Sequence, residues 1–213
     1  MARHDLAQGE LSEHVATAVA ALKDGYVIVV PLEHSYALMA DAFMHDGVRA
    51  MHVLRGDALG VAAQVVIANQ GAIDGIARSI SADGRTLMQN FWPGLVSLNL
   101  RPQAGLNWDL GDGNTLDLIS VRVPNSRFIQ EVLKKSGPAV IASAALVGEN
   151  PINDSAKISY LDSDVAAIFA AGTLPQGGVS TVIDLTGIRA RIVREGVVSL
   201  SEITALVPDI SHQ

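Results

Sequence analysis

Seven short apolar runs, rich in Val, Ile and Leu, recur along the chain: YVIVVP, QVVIAN (residues 64 to 69), LVSLNL (95 to 100), LISVRVP (118 to 124), AVIAS (139 to 143), VSTVIDL (179 to 185) and RARIVR (189 to 194). Runs of this kind suit strands buried in a sheet. The segments between them carry helical spacing. From Leu11, apolar residues fall at Val15, Ala18, Val19 and Leu22 on one helical face, with Gly25 as its stop. Further helices are expected over residues 45 to 54, 72 to 80 and 126 to 135, the last ended by Gly137-Pro138, and SLSEITALV adds a closing one. VAAIFAAG is a short apolar segment, and the last two strand runs look like a pair. Strands and helices interleave without strict alternation. This predicts an α/β fold, a single domain with a twisted mixed sheet and helices packed on it. Residues 11 to 207 form the domain, with residues 1 to 10 and 208 to 213 as tails.

Composition agrees. Hydrophobic residues make up 49% of the 213 and charged residues 17%, so most of the chain must be packed, while only 4% are aromatic. Small aliphatic side chains suit helices on a buried sheet better than an aromatic-rich sandwich. The apolar surplus would also serve a contact between copies of the chain, a homo-oligomer. With no cysteine there is no disulfide, thiolate metal site or thiol nucleophile. The start MARHDLAQGELSEH has no apolar signal segment and no run reaches the length of a membrane span, so a cytoplasmic protein without membrane contact is expected. A formal net charge of -7 with 15 Lys and Arg argues mildly against nucleic acid, because phosphate neutralisation supplies much of that affinity.

Common nucleotide and hydrolase signatures are missing: there is no G-x-x-x-x-G-K-[ST], G-x-G-x-x-G or G-x-S-x-G. His34, His45 and His52 lack a tight ligand spacing, so no metal site is expected from them. Arg55-Gly56-Asp57 spells an adhesion tripeptide, which carries no such meaning without a secretion signal. Ser35 beside His34 suggests a nucleophile and its base, yet neighbours on a strand point to opposite faces. More informative are the polar, small-residue turns after strands: PLEHSYAL after the first, ASAALVGENP after AVI, and Ser180-Thr181 within VSTVID. Exposed amides and hydroxyls at strand ends can line a cleft for phosphate or carboxylate. Arg122 and Arg194 lie in apolar strand runs, where a guanidinium needs a carboxylate or phosphate to meet, whether that partner is a ligand or an internal acid.

Several of these segments fall into one ordered pattern. Pro31, Glu33, Tyr36, Ala37 and Leu38 follow the first strand; Trp92-Pro93-Gly94 precedes Ser97; then come Val121-Arg122-Val123-Pro124, Ser143-Ala144, Ser180-Thr181-Val182-Ile183-Asp184 and Arg194-Glu195-Gly196. In order and spacing they resemble the YrdC/YciO superfamily, whose best-known members are L-threonylcarbamoyladenylate synthases. Its pattern runs P-T-[DE]-[TS]-x-Y-[GA]-L, K-x-R, a Trp- or Pro-Gly segment, R-V-P, S-[TA]-N, S-T-[VI]-[VI]-D and R-x-G. The resemblance covers about residues 11 to 200. It implies a concave cavity where ATP, threonine and bicarbonate meet to give threonylcarbamoyl-AMP for transfer RNA modification, and some members are described as binding double-stranded RNA. By the same resemblance Arg55, Arg122 and Ser143 are the expected catalytic residues, and Ser35, Tyr36, Ser180, Thr181 and Arg194 the expected nucleotide contacts.

The departures bear on chemistry. Leu32 and His34 stand where the pattern has threonine or serine, Ala145 replaces the asparagine of S-[TA]-N, and Arg55-Gly56-Asp57 replaces K-x-R. A lost amide hydrogen bond costs about 0.5–1.5 kcal/mol net. An acid in place of a cation near a triphosphate changes a term of about 4 kcal/mol per charge pair at an effective dielectric near 20. Asp57 therefore decides, and weakened or altered catalysis is expected unless that acid points away or a magnesium ion bridges it to phosphate. The TVIDL and VREGV segments lie nearest the YciO-like branch, so a non-catalytic RNA-binding or regulatory paralogue is the alternative. The whole expectation requires Arg55, Arg122 and Arg194 to converge on one anion pocket.

Overall fold

The computed structural model describes residues 2–113, 115–160 and 163–212. Along the chain run β1 (Ala2–Asp5), α1 (Leu11–Lys23), β2 (Ile28–Pro31), β3 (Tyr36–Asp41), α2 (His45–Arg55), β4 (Gln64–Val66), α3 (Ile73–Ile76), β5 (Ala77–Arg78) and α4 (Ala82–Phe91). There follow β6 (Val96–Pro102), β7 (Ile119–Arg122), α5 (Arg127–Ser136), β8 (Ala139–Ser143), β9 (Ala167–Ala170), β10 (Thr181–Asp184), β11 (Arg191–Arg194), α6 (Leu200–Thr204) and β12 (Ser211–His212). Among the described residues the sheet order is β1-β9-β2-β3-β8-β4-β7-β6-β10-β11-β12, with β5 added onto β6. The sheet is mixed as expected: β2, β3, β8 and β4 run antiparallel to their neighbours in turn, while β4 with β7 and β6 with β10 are parallel.

The period of two along the central strands divides the interior into two cores, one on each face of the sheet. Val29 of β2, Tyr36, Leu38 and Ala40 of β3, and Val140 and Ala142 of β8 enter one core. Ile28, Val30, Ala37, Met39, Ala139 and Ile141 enter the other, where they meet Val15, Ala18 and Leu22 of α1 and Phe128, Ile129 and Val132 of α5. Each fully buried Val, Leu, Ile, Phe or Met side chain contributes about 1.5–3 kcal/mol. The apolar runs that become β2 and β8 are thus covered on both faces. The Ser126 hydroxyl caps α5 by accepting from the Ile129 amide, and Lys134 and Lys135 sit in its last turn where the helix dipole favours cations.

Several local expectations are corrected. Residues 2 to 5 are not tail but strand β1, parallel to β9, and β12 pairs parallel with β11 near the other terminus. The VAAIFAAG segment supplies β9, a buried strand. The helix expected over 72 to 80 shortens to α3 and gives way to β5. Helix α4 was not foreseen; of ADGRTLMQNF only Gly84, Leu87 and Met88 are buried. No helix among the described residues is long and apolar enough to cross a membrane.

Candidate active site

The β2–β3 hairpin turns through Leu32, Glu33, His34 and Ser35, closed by a hydrogen bond from the Leu32 amide to the Ser35 carbonyl at 3.0 Å. This turn forms one wall of a cavity of about 350 Å³. Other walls come from Ser143 at the end of β8, Arg122 at the end of β7, Ser180 just before β10, Arg194 at the end of β11, and Arg55 and His52 at the end of α2. Three arginines far apart in sequence thus reach one cavity.

Their charges are not equally free. Arg122 is 4% exposed and makes a bidentate pair with Glu33, Nη1 to Oε1 at 2.6 Å and Nη2 to Oε2 at 3.1 Å. Arg122 lines the cavity, but its positive charge is already matched by an internal acid. Burial alone would raise the Glu33 carboxyl, but the Arg122 hydrogen bonds and charge, with the Asn125 amide, hold it below its ordinary value. Arg194 differs. Its guanidinium donates to the Ser180 carbonyl at 2.8 Å and to the Ser180 hydroxyl at 3.0 Å rather than to a carboxylate, and burial lowers its pKa.

A directed hydrogen-bond chain crosses the floor. Arg122 Nε donates to Gln64 Oε1 (3.3 Å), Gln64 Nε2 to Ser97 Oγ (2.8 Å), and Ser97 Oγ to Ser180 Oγ (3.1 Å). Ser180 Oγ therefore accepts from both Ser97 and Arg194, and its own proton is left to donate to a ligand. Ser143 Oγ likewise accepts, from the Ala145 amide at 3.2 Å, and keeps its proton. Gln64 was not foreseen as a site residue; a glutamine opening a strand run was the only signal. Ser97 appeared only as a pattern match.

Two expected contacts stand elsewhere. Tyr36 is fully buried, its hydroxyl donating to the Gly172 carbonyl (2.8 Å) and accepting from the Ala171 amide (2.9 Å). Thr181 donates to the Val198 carbonyl (2.6 Å) and accepts from the Gly196 amide (2.9 Å). Neither lines the cavity, because both side chains lock one loop or strand to the next. Ser35 and His34 lie in the hairpin turn rather than on a strand, and both line the cavity; His34 Nδ1 donates to the Pro175 carbonyl at 3.3 Å, not to Ser35. Ala145 is buried and is not among the residues that line the cavity.

The Arg55-Gly56-Asp57 turn resolves the central departure. Gly56 takes the left-handed conformation at φ 74°, which ends α2 and folds the chain back so that the Asp57 amide meets the His52 carbonyl at 3.0 Å. The Asp57 carboxylate then turns inward, 2.8 Å from His52 Nδ1 and 3.6 Å from Arg55 Nε, with only 3% of its side chain exposed. It does not line the cavity; it borders a second one of about 680 Å³ on the outer side of α2. Among the described residues no cluster of acids and histidines could hold a metal ion.

The family model Sua5_yciO_yrdC, described as "Telomere recombination", matches residues 20–196. A Mycobacterium tuberculosis protein named "Putative threonylcarbamoyl-AMP synthase" is 32% identical over 197 residues, 92% of this chain and 90% of that protein. The threonylcarbamoyl-AMP synthase of Bacillus subtilis is 27% identical over 92% of this chain and 57% of its own length. In fold, the chain is similar to Pyrococcus abyssi Sua5 complexed with L-threonine, with a TM-score of 0.88 at 23% identity, covering 100% of this chain and 62% of that one. It is also similar to Escherichia coli YciO, with a TM-score of 0.81 at 24% identity over 95% of this chain and 98% of that one.

Proposed function

Because the chain belongs to the Sua5, YciO and YrdC family, we infer that its cavity is a nucleotide site and that the protein is a threonylcarbamoyl-AMP synthase. The observation that carries this reading is the meeting of Arg194, which has no carboxylate partner among the described residues, with the Ser180 and Ser143 hydroxyls, each left with a proton to donate. Relatives named for the same activity support it.

In this reading the amine of threonine adds to bicarbonate with loss of water, giving a carbamate. A carbamate oxygen attacks the α-phosphorus of ATP, the bond to the β-phosphate oxygen breaks, and pyrophosphate leaves. Negative charge builds on phosphate oxygens as this happens, and preorganised donors aimed at that charge lower the barrier. Arg194 and Arg55 supply the positive charge, Ser180 and Ser143 the hydroxyl donors, and the Glu33–Arg122 pair fixes the wall between them. The product's acceptor is an adenosine of transfer RNA, which makes that RNA the partner and the cytoplasm the place of action. The ground for weakened catalysis was an acid at position 57 facing the phosphates, and Asp57 faces His52 instead.

Purified protein given ATP, threonine and bicarbonate should release pyrophosphate only when all three are present. Arg194→Ala should slow that release by on the order of a hundredfold, the usual effect of removing one such donor. ATP binding with no pyrophosphate at high enzyme concentration would reject the synthase and favour the non-catalytic, YciO-like alternative.

A further inference from the structure

His52 lines both cavities. Its Nε2 lies 2.8 Å from the Leu110 carbonyl, which can only accept, so that nitrogen carries a hydrogen. Its Nδ1 lies 2.8 Å from Asp57 Oδ2, an approach that needs a proton between the two atoms. Whichever of the two atoms holds that proton, the His52–Asp57 pair together carries no net charge.

The contact is built into the fold. Gly111 has φ +96°, and a Cβ there would fall 2.3 Å from His52 Nε2, so only glycine lets the segment carrying Leu110 come this close. Gly56 brings Asp57 back onto the ring from the other side. The charged groups facing His52 across the outer cavity are Arg49 on α2 and Asp109 beside Leu110, with His45 one turn earlier. On the inner cavity they are Arg55, Arg194, His34 and the Glu33–Arg122 pair.

We propose that His52 is a positioning residue: held by the Leu110 carbonyl with both ring nitrogens protonated, it cancels the Asp57 charge and so leaves the Arg55 charge to the anion cavity. The sequence pattern asks for two cations at K-x-R, and this chain offers one cation and one acid. With His52 charged, the acid is neutralised within the protein and the Arg55, His52 and Asp57 group keeps one net positive charge; with His52 neutral it keeps none. The proposal rests on the nucleotide reading of the cavity.

The test combines two measurements on the full chain. Nitrogen NMR of the His52 ring in the free protein at neutral pH should show both nitrogens protonated; a ring with one bare nitrogen would overturn the proposal. ATP affinity by calorimetry should then weaken as pH rises through the titration seen in that spectrum, by roughly fivefold, the worth of one charge pair at about 4 Å in water. His52→Gln, which keeps an N–H for Leu110, should bind about fivefold more weakly at pH 6. His52→Lys should bind tightly across the range, and because ATP's own protonation affects every variant alike, the difference between wild type and His52→Lys isolates the histidine. Thermal melts of both variants establish that they fold; if His52→Gln does not, the wild-type and His52→Lys curves decide. Wild-type and His52→Lys affinities with the same pH dependence would sink the role of His52 alone, whereas wild-type protein that binds no ATP at all would sink the nucleotide reading and the role together.

Discussion

Arg122 ends a strand whose neighbours are apolar, and Glu33 is what holds it there. The pair is almost dry, with side chains 5% and 10% exposed. Removing one partner of such a pair leaves an unmatched buried charge, at a cost of about 3–5 kcal/mol. Glu33→Gln should therefore lower the unfolding free energy by about 3 kcal/mol at neutral pH in urea titrations. The pH dependence has a definite sign. The folded carboxyl lies below its ordinary value, so its contribution is complete above the unfolded pKa and is lost as pH falls through the folded one. The gap between wild type and variant should close in acid; a gap of constant size down to low pH would refute the assignment. Sequence alone asked for an acid or a phosphate beside Arg122 and could not choose, since Glu33 lies 89 residues away and only the hairpin turn brings it near.

The hairpin of β10 and β11 is the element that presents Ser180 and Arg194 together, and its pairing was legible because both runs carry local apolar character. What holds its open end shut was less visible. A Cβ on Gly196 would lie 2.3 Å from the Val179 carbonyl oxygen and 2.5 Å from the Ser180 carbonyl carbon, backbone atoms that have nowhere to go. Gly196→Ala should cost about 1–3 kcal/mol, the range for overpacking a tight contact. It should also weaken ATP binding, because the strands must separate where Arg194 meets Ser180; calorimetry showing unchanged affinity in a destabilised variant would contradict that link. Helix α4 marks the opposite limit of legibility. Its few buried residues suffice because the sheet is already there to receive them, a fact no eleven-residue window contains.

At the scale of the whole molecule, the strands near both termini extend the sheet rather than trail from it. Strand β1 covers β9, His4 stacks on Phe169 at 5.1 Å, and the Leu6 amide bonds to the Ala170 carbonyl at 2.8 Å. Deleting residues 1 to 8 should turn β9 into a bare edge. The expected result is self-association seen by light scattering, with a melting temperature lower by about 2–4 °C for each kcal/mol lost. ATP affinity should not change, since β1 lines neither cavity; a parallel loss of affinity would mean that the edge and the site are coupled. The mixed α/β class, most central strands and the resemblance in motif order were all readable from sequence, because periodicity and turn chemistry are local properties of the chain. Which polar groups are spent internally and which remain for a ligand was decided only by tertiary structure. Tyr36, Thr181 and Asp57 carry side chains as capable as those of Ser180 or Arg194, and what separates them is the partner that folding places within three ångströms or so of each, supplied by distant segments.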